Sequence, residues 1–471
     1  MFSYSPFHSG VFAKQEPVAL NEPAADLNAI NLLDYLFVSY PEYGRKEGQE
    51  KEKLVYFWPP DESDKRKLDL VSFSEAVINF TSEFGIENSS EHRFLTSQQL
   101  VSVILPVEGG FIIGAAFNKE KCEALHFFPH QGALLKTVKR IYKTFKLFNR
   151  GFEYNLKYGK DLMIEILDAF FTTYLPTVKL SPIPLIDVFD GISFMPLGSN
   201  LFLQTQCFVE QCMEQCLEIK QAMFLYQNKL AQFAVPREDL KTYYDLVVDH
   251  LIPSALKSEL QPESVSCAQV GRFVKFAFDF APSKGNFSVI WVKNSETREM
   301  ERHYMVCYRT LNATMIMLIK ETTQNLDHLL TRFGHFLSPR LCQLASEMAE
   351  TVTETIQPVI SGIPFHFIYY NTESKSFKTS LSSLSPSSSP ITFSTEMSSA
   401  IYDVFDKFIE CNDRTTEVNL KLESDIWVVF KKSTGRVLIV FIPNAQSTTL
   451  GEVEGHLNSI IANYFQHVHF S

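Results

Sequence analysis

The 471-residue chain is too long for one ordinary core and, at 45% hydrophobic residues with 41 Phe, can fill about three. Its formal net charge of -11 argues against generic nucleic-acid binding, which rests on a basic surface. No run approaches the roughly 20 apolar residues needed to span a bilayer, and the start, MFSYSPFHSGVFAKQEP, lacks a basic opening followed by an apolar core, so a cytoplasmic protein is expected.

Residues 1–28 carry Pro and Ala without periodicity and read as a disordered tail. Leu32 to Pro60 is two strand-like runs with Tyr35, Phe37, Tyr56 and Trp58, interrupted by Pro41, Gly44 and Gly48, which predicts a β-hairpin. A helix follows, and Leu70, Phe73, Val77, Phe80 and Phe84 at helical spacing are its expected buried face. Strands are predicted at Arg93 to Thr96, Leu100 to Val107 and Phe111 to Ala116, then helices at Ala133 to Phe148 and Lys160 to Tyr174. The first domain therefore runs over 29–180, and the Pro- and Gly-punctuated stretch 181–200 is a linker.

The second domain, 201–357, repeats the order: a hairpin at Ala222 to Phe233, a helix opened by Pro236, and strands at Phe287 to Val292, His303 to Thr310 and Ala313 to Ile319. Arg272 to Phe280 is one strand too many and reads as an insertion, and Pro339 is expected to begin the closing helix, capped by Ser338. The third domain, 358–471, has a hairpin at Phe365 to Leu381, the Ser-rich loop Ser382 to Pro390, a helix, three strands from Val418 to Ile442, and a last helix with Thr449 and Glu452 at capping-box spacing. Three times the order is strand, strand, helix, three strands, helix. That order predicts an α+β fold of three longin-like domains, each a five-stranded antiparallel sheet flanked by helices.

Catalytic motifs are missing from the sequence. There is no GxxxxGK[ST], and no HExxH, GxSxG or GxGxxG stands in a fitting context. The eight Cys are scattered, and Cys207, Cys212 and Cys216 lack a CxxC or nearby His, so they read as small buried hydrophobes in a reducing compartment. No cofactor, metal or covalent chemistry is expected.

Two helices carry candidate binding surfaces. Lys136, Lys139, Arg140, Lys143 and Lys146 lie opposite an apolar face, either as an ordinary solvated side or as a contact for anionic membrane or an acidic partner. On the first helix, Ser72, Glu75, Asn79 and Glu83 fall on a face turned away from Phe73 and Phe80, with Val71 and Ile78 beside it, outside the expected core stripe.

The chain resembles the Ccz-one family of vacuolar fusion proteins in GRKEGQEKEKLVYF (Gly44 to Phe57), YKTFKLFN (Tyr142 to Asn149), LIDVFDGISFMPL (Leu185 to Leu197) and SDIWVVFKKS (Ser424 to Ser433). The resemblance implies an obligate Mon-one partner, with which such a protein forms the exchange factor for the late-endosomal Rab-seven GTPase, and a third regulatory subunit in metazoans. It implies peripheral recruitment to endosomal and lysosomal membranes, and paired first longin domains as the GTPase platform. The residues expected there are Tyr43, Arg45, Glu47, Val71, Ser72, Glu75, Ile78, Asn79 and Glu83. A longin scaffold or tether without exchange activity would use the same surfaces.

Overall fold

The computed structural model describes residues 27–46, 48–83, 92–258, 271–275, 277–294, 297–351, 359–360, 363–381, 395–411, 416–423, 425–443 and 449–465. Residues 1–26 of the expected tail, the Ser-rich loop with Ser385 and Ser389, Glu47 and Phe84 lie outside the described residues, whereas Leu27 and Asn28, expected to belong to the tail, are held against the first domain, with Leu180 N donating to the Leu27 carbonyl at 2.8 Å.

The first sheet contains β1 (Leu33–Ser39), β2 (Leu54–Trp58), β3 (Arg93–Thr96), β4 (Leu100–Pro106) and β5 (Ile112–Asn118), in the order β2-β1-β5-β4-β3 and antiparallel throughout. The predicted hairpin is present, with Phe37 opposite Phe57 and Val38 opposite Tyr56. Alternation along β1 sends Leu36 and Val38 to one face and Tyr35 and Phe37 to the other. Helix α1 (Asp64–Glu83) covers the Phe37 face; α2 (Gln131–Asn149) and α3 (Lys160–Tyr174) cover the other.

A short helix α4 (Pro184–Phe189) and β6 (Ile192–Ser193) lead to α5 (Ser199–Gln215). The second sheet then contains β7 (Ile219–Tyr226), β8 (Lys229–Ala234), β9 (Arg272–Val274), β10 (Ser283–Lys284), β11 (Phe287–Lys293), β12 (Met300–Thr310) and β13 (Ala313–Lys320), with α6 (Arg237–Asp245) and α7 (Leu326–Thr351). Its path is β10-β11-β12-β13-β7-β8. The third has β14 (Val359–Ile360) and β15 (Ile363–Pro364) as a separate pair, then β16 (His366–Asn371), β17 (Ser376–Thr379), helix α8 (Thr395–Glu410), β18 (Glu417–Lys421), β19 (Trp427–Ser433), β20 (Arg436–Ile442) and α9 (Leu450–Tyr464), in the order β18-β19-β20-β16-β17-β6. Numbered within its own domain, each sheet reads 2-1-5-4-3, so all three units share one topology.

The second and third sheets hold more than the five expected strands, and the extras come from segments read as insertion and linker. β9 takes the row where β11 ends: β11 pairs Met300 to Tyr304 of β12, and β9 pairs Cys307 to Arg309. Beyond β9, Phe278 and Phe280 lie among first-domain aromatics, 5.7 Å from Phe148 and, for Phe280, 4.8 Å from Tyr174. The stretch 181–200 is likewise folded. Leu185 and Phe189 of α4 sit in the third core, β6 pairs in parallel with β17, and Phe194 bridges to Leu230 of β8. Pro339 lies inside α7 rather than beginning a helix, whereas the Thr449–Glu452 capping box is present, with Thr449 N donating to Glu452 at 2.7 Å.

The first two domains share one core. Val103, Ile113 and Phe117 of the first sheet, Val138 and Phe145 of α2, and Leu225, Ile290 and Ile316 of the second sheet belong to one continuous apolar cluster. Helix α2 is thus sandwiched between two sheets, which fixes the two domains against each other.

Candidate functional site

Helix α1 is phased differently from its Phe pattern. Phe73 and Phe80 are 55% and 62% exposed, while Val71 (1%) and Ser74 (2%) are buried. The sheet opposite explains this. Tyr35, Phe37 and Phe57 stack at 5.9–6.5 Å across that face and already fill it, and Phe37 lies over Gly114, where a Cβ would collide with its ring. What remains fits Val and Ser but not Phe. Val71, expected to face a partner, is therefore a core residue beside Ala116, and Ile78 is half-buried at the edge of an interdomain cleft. The open face of α1 carries Ser72, Phe73, Ala76, Asn79, Phe80 and Glu83.

Glu75, expected on the platform, acts as a strut within the domain. Its carboxylate accepts from Lys53 Nζ at 2.7 Å, both side chains largely shielded, and this ties the start of β2 to α1. Lys51 and Asp64 pair at 3.1 Å nearby. Tyr43 is half-buried, edge-on to Tyr40 at 4.9 Å, with Lys160 Nζ 5.3 Å from its ring, and Lys160 also pairs with Glu52. Arg45 is exposed and pairs with Glu42. The loop after β1 is thus fastened to α1 and α3, and it stands in fixed relation to the open face.

The cations of α2 do not form an open solvated side. Lys136, Lys139 and Arg140 are half-buried, and only Lys143 and Lys146 of the five are exposed. Arg140 donates to the Lys179 carbonyl at 2.7 Å; burial opposes its charge, but Asp245, Tyr174, Asp187 and Asp249 together hold its pKa above the ordinary value. Lys241 of α6 joins this cluster, 2.9 Å from Asp190 and 2.5 Å from Asp245. Burial pushes the Asp187 carboxyl up to about 7, against Arg140, the Ser181 N–H at 2.8 Å and Lys241. Lys136, Lys139, Lys143 and Lys146 instead line the cleft between the first two domains. The sequence shows no sign of this arrangement, because much of the covering surface, such as Glu238 and Trp291, lies far along the chain from α2. His130, at the start of α2, was also missed: its Nε2 lies 3.2 Å from Asp406 and its ring stacks on Tyr402 at 4.7 Å, joining the first and third domains.

Among the described residues no His, Cys, Asp and Glu group could hold a metal, and no helix is long and apolar enough to cross a membrane. Of the described cysteines, Cys122, Cys212, Cys216 and Cys307 are buried, whereas Cys207 and Cys411 are exposed.

A family model described as the first longin domain of INTU, CCZ1 and HPS4 matches residues 33–150, and one described as Intu longin-like domain 2 matches 219–336. Together with the repeated sheet order, they define a tandem-longin protein. The vacuolar fusion protein CCZ1 homolog of Nematostella vectensis is 29% identical over 456 residues, covering 92% of this chain and 97% of that relative. Those of Xenopus tropicalis (28% over 469 residues; 94% and 98%) and Dictyostelium discoideum (19% over 456 residues; 92% and 97%) match over the same extent. The chain is similar to these vacuolar fusion proteins over nearly its whole length.

Proposed function

We propose that this chain is one subunit of a heterodimeric guanine-nucleotide exchange factor, paired with a Mon-one protein and acting on the late-endosomal Rab-seven GTPase. Its place would be in endosome maturation and in fusion with the lysosome or vacuole, with peripheral recruitment to those membranes. The observation that carries the reading is the open face of α1. Two large apolar rings, Phe73 and Phe80, stand two turns apart on an exposed helix of the first longin domain, flanked by Ser72, Asn79 and Glu83 and beside the loop after β1, whose Lys51 and Lys53 pair with Asp64 and Glu75 of α1. Exposed aromatic anchors with a polar rim are how a protein-binding surface is built.

Such a surface suffices for nucleotide exchange, which needs no nucleophile or proton relay. The factor must bind the nucleotide-free GTPase more tightly than the loaded one, and that difference in affinity is what releases the nucleotide. The relatives' name, vacuolar fusion protein, agrees with this role. The test is fluorescent GDP release from Rab-seven by this chain, the Mon-one partner, and both together. Acceleration by the pair but by neither alone is the expected result. Stable pairing without acceleration would make the protein a scaffold or tether.

A further inference from the structure

The interdomain cleft has a volume of about 1100 Å³ and lies between α2 and β4 of the first domain and α6 and β11 of the second. Six cations line it: the four lysines of α2 already named, with Arg93 and Lys293; three carboxylates, Glu108, Glu238 and Asp239, oppose them, for a formal excess of 6 − 3 = +3. Some of these charges are already committed. Lys146 pairs with Glu108 at 2.6 Å, and Arg93 donates to Thr81 at 2.6 Å. Lys136, Lys139, Lys143 and Lys293 have no ion pair within 4 Å among the described residues. Asp239 balances them poorly, because burial, then Glu238, raise its pKa. Burial, with Lys375, Lys139 and Lys143, also works against the Lys136 ammonium, which Asp190 only partly supports.

A second observation points into the same cleft. Tyr243 lines it and is only 2% exposed, yet its hydroxyl has no hydrogen-bond partner among the described residues. A buried hydroxyl left unpaired costs the fold stability. The Tyr243 side chain forms part of the wall of this cationic cleft, and a protein-walled cleft lined by one sign of charge concentrates the opposite sign.

We propose that this cleft binds a compact anion carrying several phosphate groups, of the inositol polyphosphate class, with Lys136, Lys139, Lys143 and Lys293 neutralising the phosphates and the Tyr243 hydroxyl donating to one of their oxygens. The cleft volume suits a ligand of that size, and several phosphates match the charge excess better than one. Such a ligand would bridge the first two domains. The same chemistry could be presented by a soluble molecule or by a lipid headgroup.

The test uses the full chain and inositol hexakisphosphate, titrated calorimetrically at low and at physiological salt. Saturable binding that weakens as salt rises is expected. Lys139→Gln with Lys143→Gln should weaken it roughly tenfold or more. Tyr243→Phe should weaken it severalfold without lowering the melting temperature, because the lost hydroxyl has no hydrogen-bond partner among the described residues. That variant keeps the test decisive if the lysine variant folds poorly. Sedimentation with phosphatidylcholine vesicles, with and without phosphatidylinositol trisphosphate, separates the sources: pelleting only with the phosphorylated lipid assigns a headgroup, and binding of the free ligand without pelleting assigns a soluble anion. The proposal fails if no binding heat is seen at low salt, if both variants bind like the wild type, or if the lysine changes weaken only partner pairing.

Discussion

The open face of α1 makes a quantitative prediction. Phe73→Gln with Phe80→Gln removes both rings while keeping residues of good helix propensity. Taking about 200 Å² for a fully exposed Phe side chain, exposures of 55% and 62% leave roughly 110 and 125 Å² of each ring for a partner to cover. At about 25 cal/mol per Å² that amounts to about 3 kcal/mol for each ring. Ordering each side chain at an interface costs roughly 1 kcal/mol, so the net for the pair is about 4 kcal/mol, two to three orders of magnitude in Kd. The assay is equilibrium binding of the purified double variant to the Mon-one partner, followed by GDP release from Rab-seven. The chain's own thermal midpoint should be unchanged or higher, since the rings contribute little to the core. If pairing and release both stay within about threefold of the wild type, the stripe is a solvated face and the reasoning is wrong.

Four further outcomes follow from the geometry. Asn79→Lys, on the open face, should slow nucleotide release about tenfold, the loss of roughly one polar contact, while co-purification with the partner survives; Glu75→Lys instead places a cation against Lys53 and should show first as a lower melting temperature. Asp187 has a folded pKa raised to about 7 by burial, so its contribution is fully present below the unfolded value of about 3.9 and is lost as pH rises through about 7. Asp187→Asn keeps an oxygen for the Ser181 N–H, and its melting temperature should exceed the wild type at pH about 8, with the gap closing toward pH about 5; a gap that widens on acidification would contradict the assignment. His130→Ala removes the ring on Tyr402, the Asp406 contact and the acceptor for Gly132 N at 3.2 Å, a loss of about 1–2 kcal/mol, read as faster hydrogen exchange in α8 and at the start of α2.

Strand order was legible because turn residues and alternating aromatics mark hairpins locally: Pro41, Gly44 and Gly48 separate β1 from β2, and the Phe37–Phe57 register follows from the alternation on either side. The phase of α1 was not. Both Phe73, Val77, Phe80 and Val71, Ser74, Ile78 recur at helical spacing, and side-chain size favours the first set as core. The choice is made by the partner surface: with Phe37 over Gly114 and Tyr35 and Phe57 alongside, that side of the sheet accepts small residues. The small Ser74 in that stripe was the available signal, since a sheet face already filled by Tyr35, Phe37 and Phe57 leaves room only for small side chains. The setting of the α2 cations was hidden for a related reason. Charge opposite an apolar face looks solvated until a second domain closes over it, and the covering residues Glu238, Asp239 and Trp291 lie far along the chain. Phe278 and Phe280 show the same limit, since nothing near them announces that they fill space beside Phe148 and Tyr174.

The shared core constrains how any exchange activity could arise. With α2 held between two sheets and Phe280 wedged beside Tyr174, movement of the first domain against the second would open a continuous apolar cluster, which close-packed interiors resist. The ion pairs that fasten the loop after β1, such as Lys51–Asp64, are largely at the surface and stabilise little, so their effect is to set position. A partner would therefore meet a preformed surface on α1 and its neighbouring loop, and the ordering cost of binding would fall on the other side. For an exchange factor that division is favourable, because the switch segments of the GTPase are what must change shape, and a rigid platform selects the nucleotide-free form without spending binding energy on its own rearrangement.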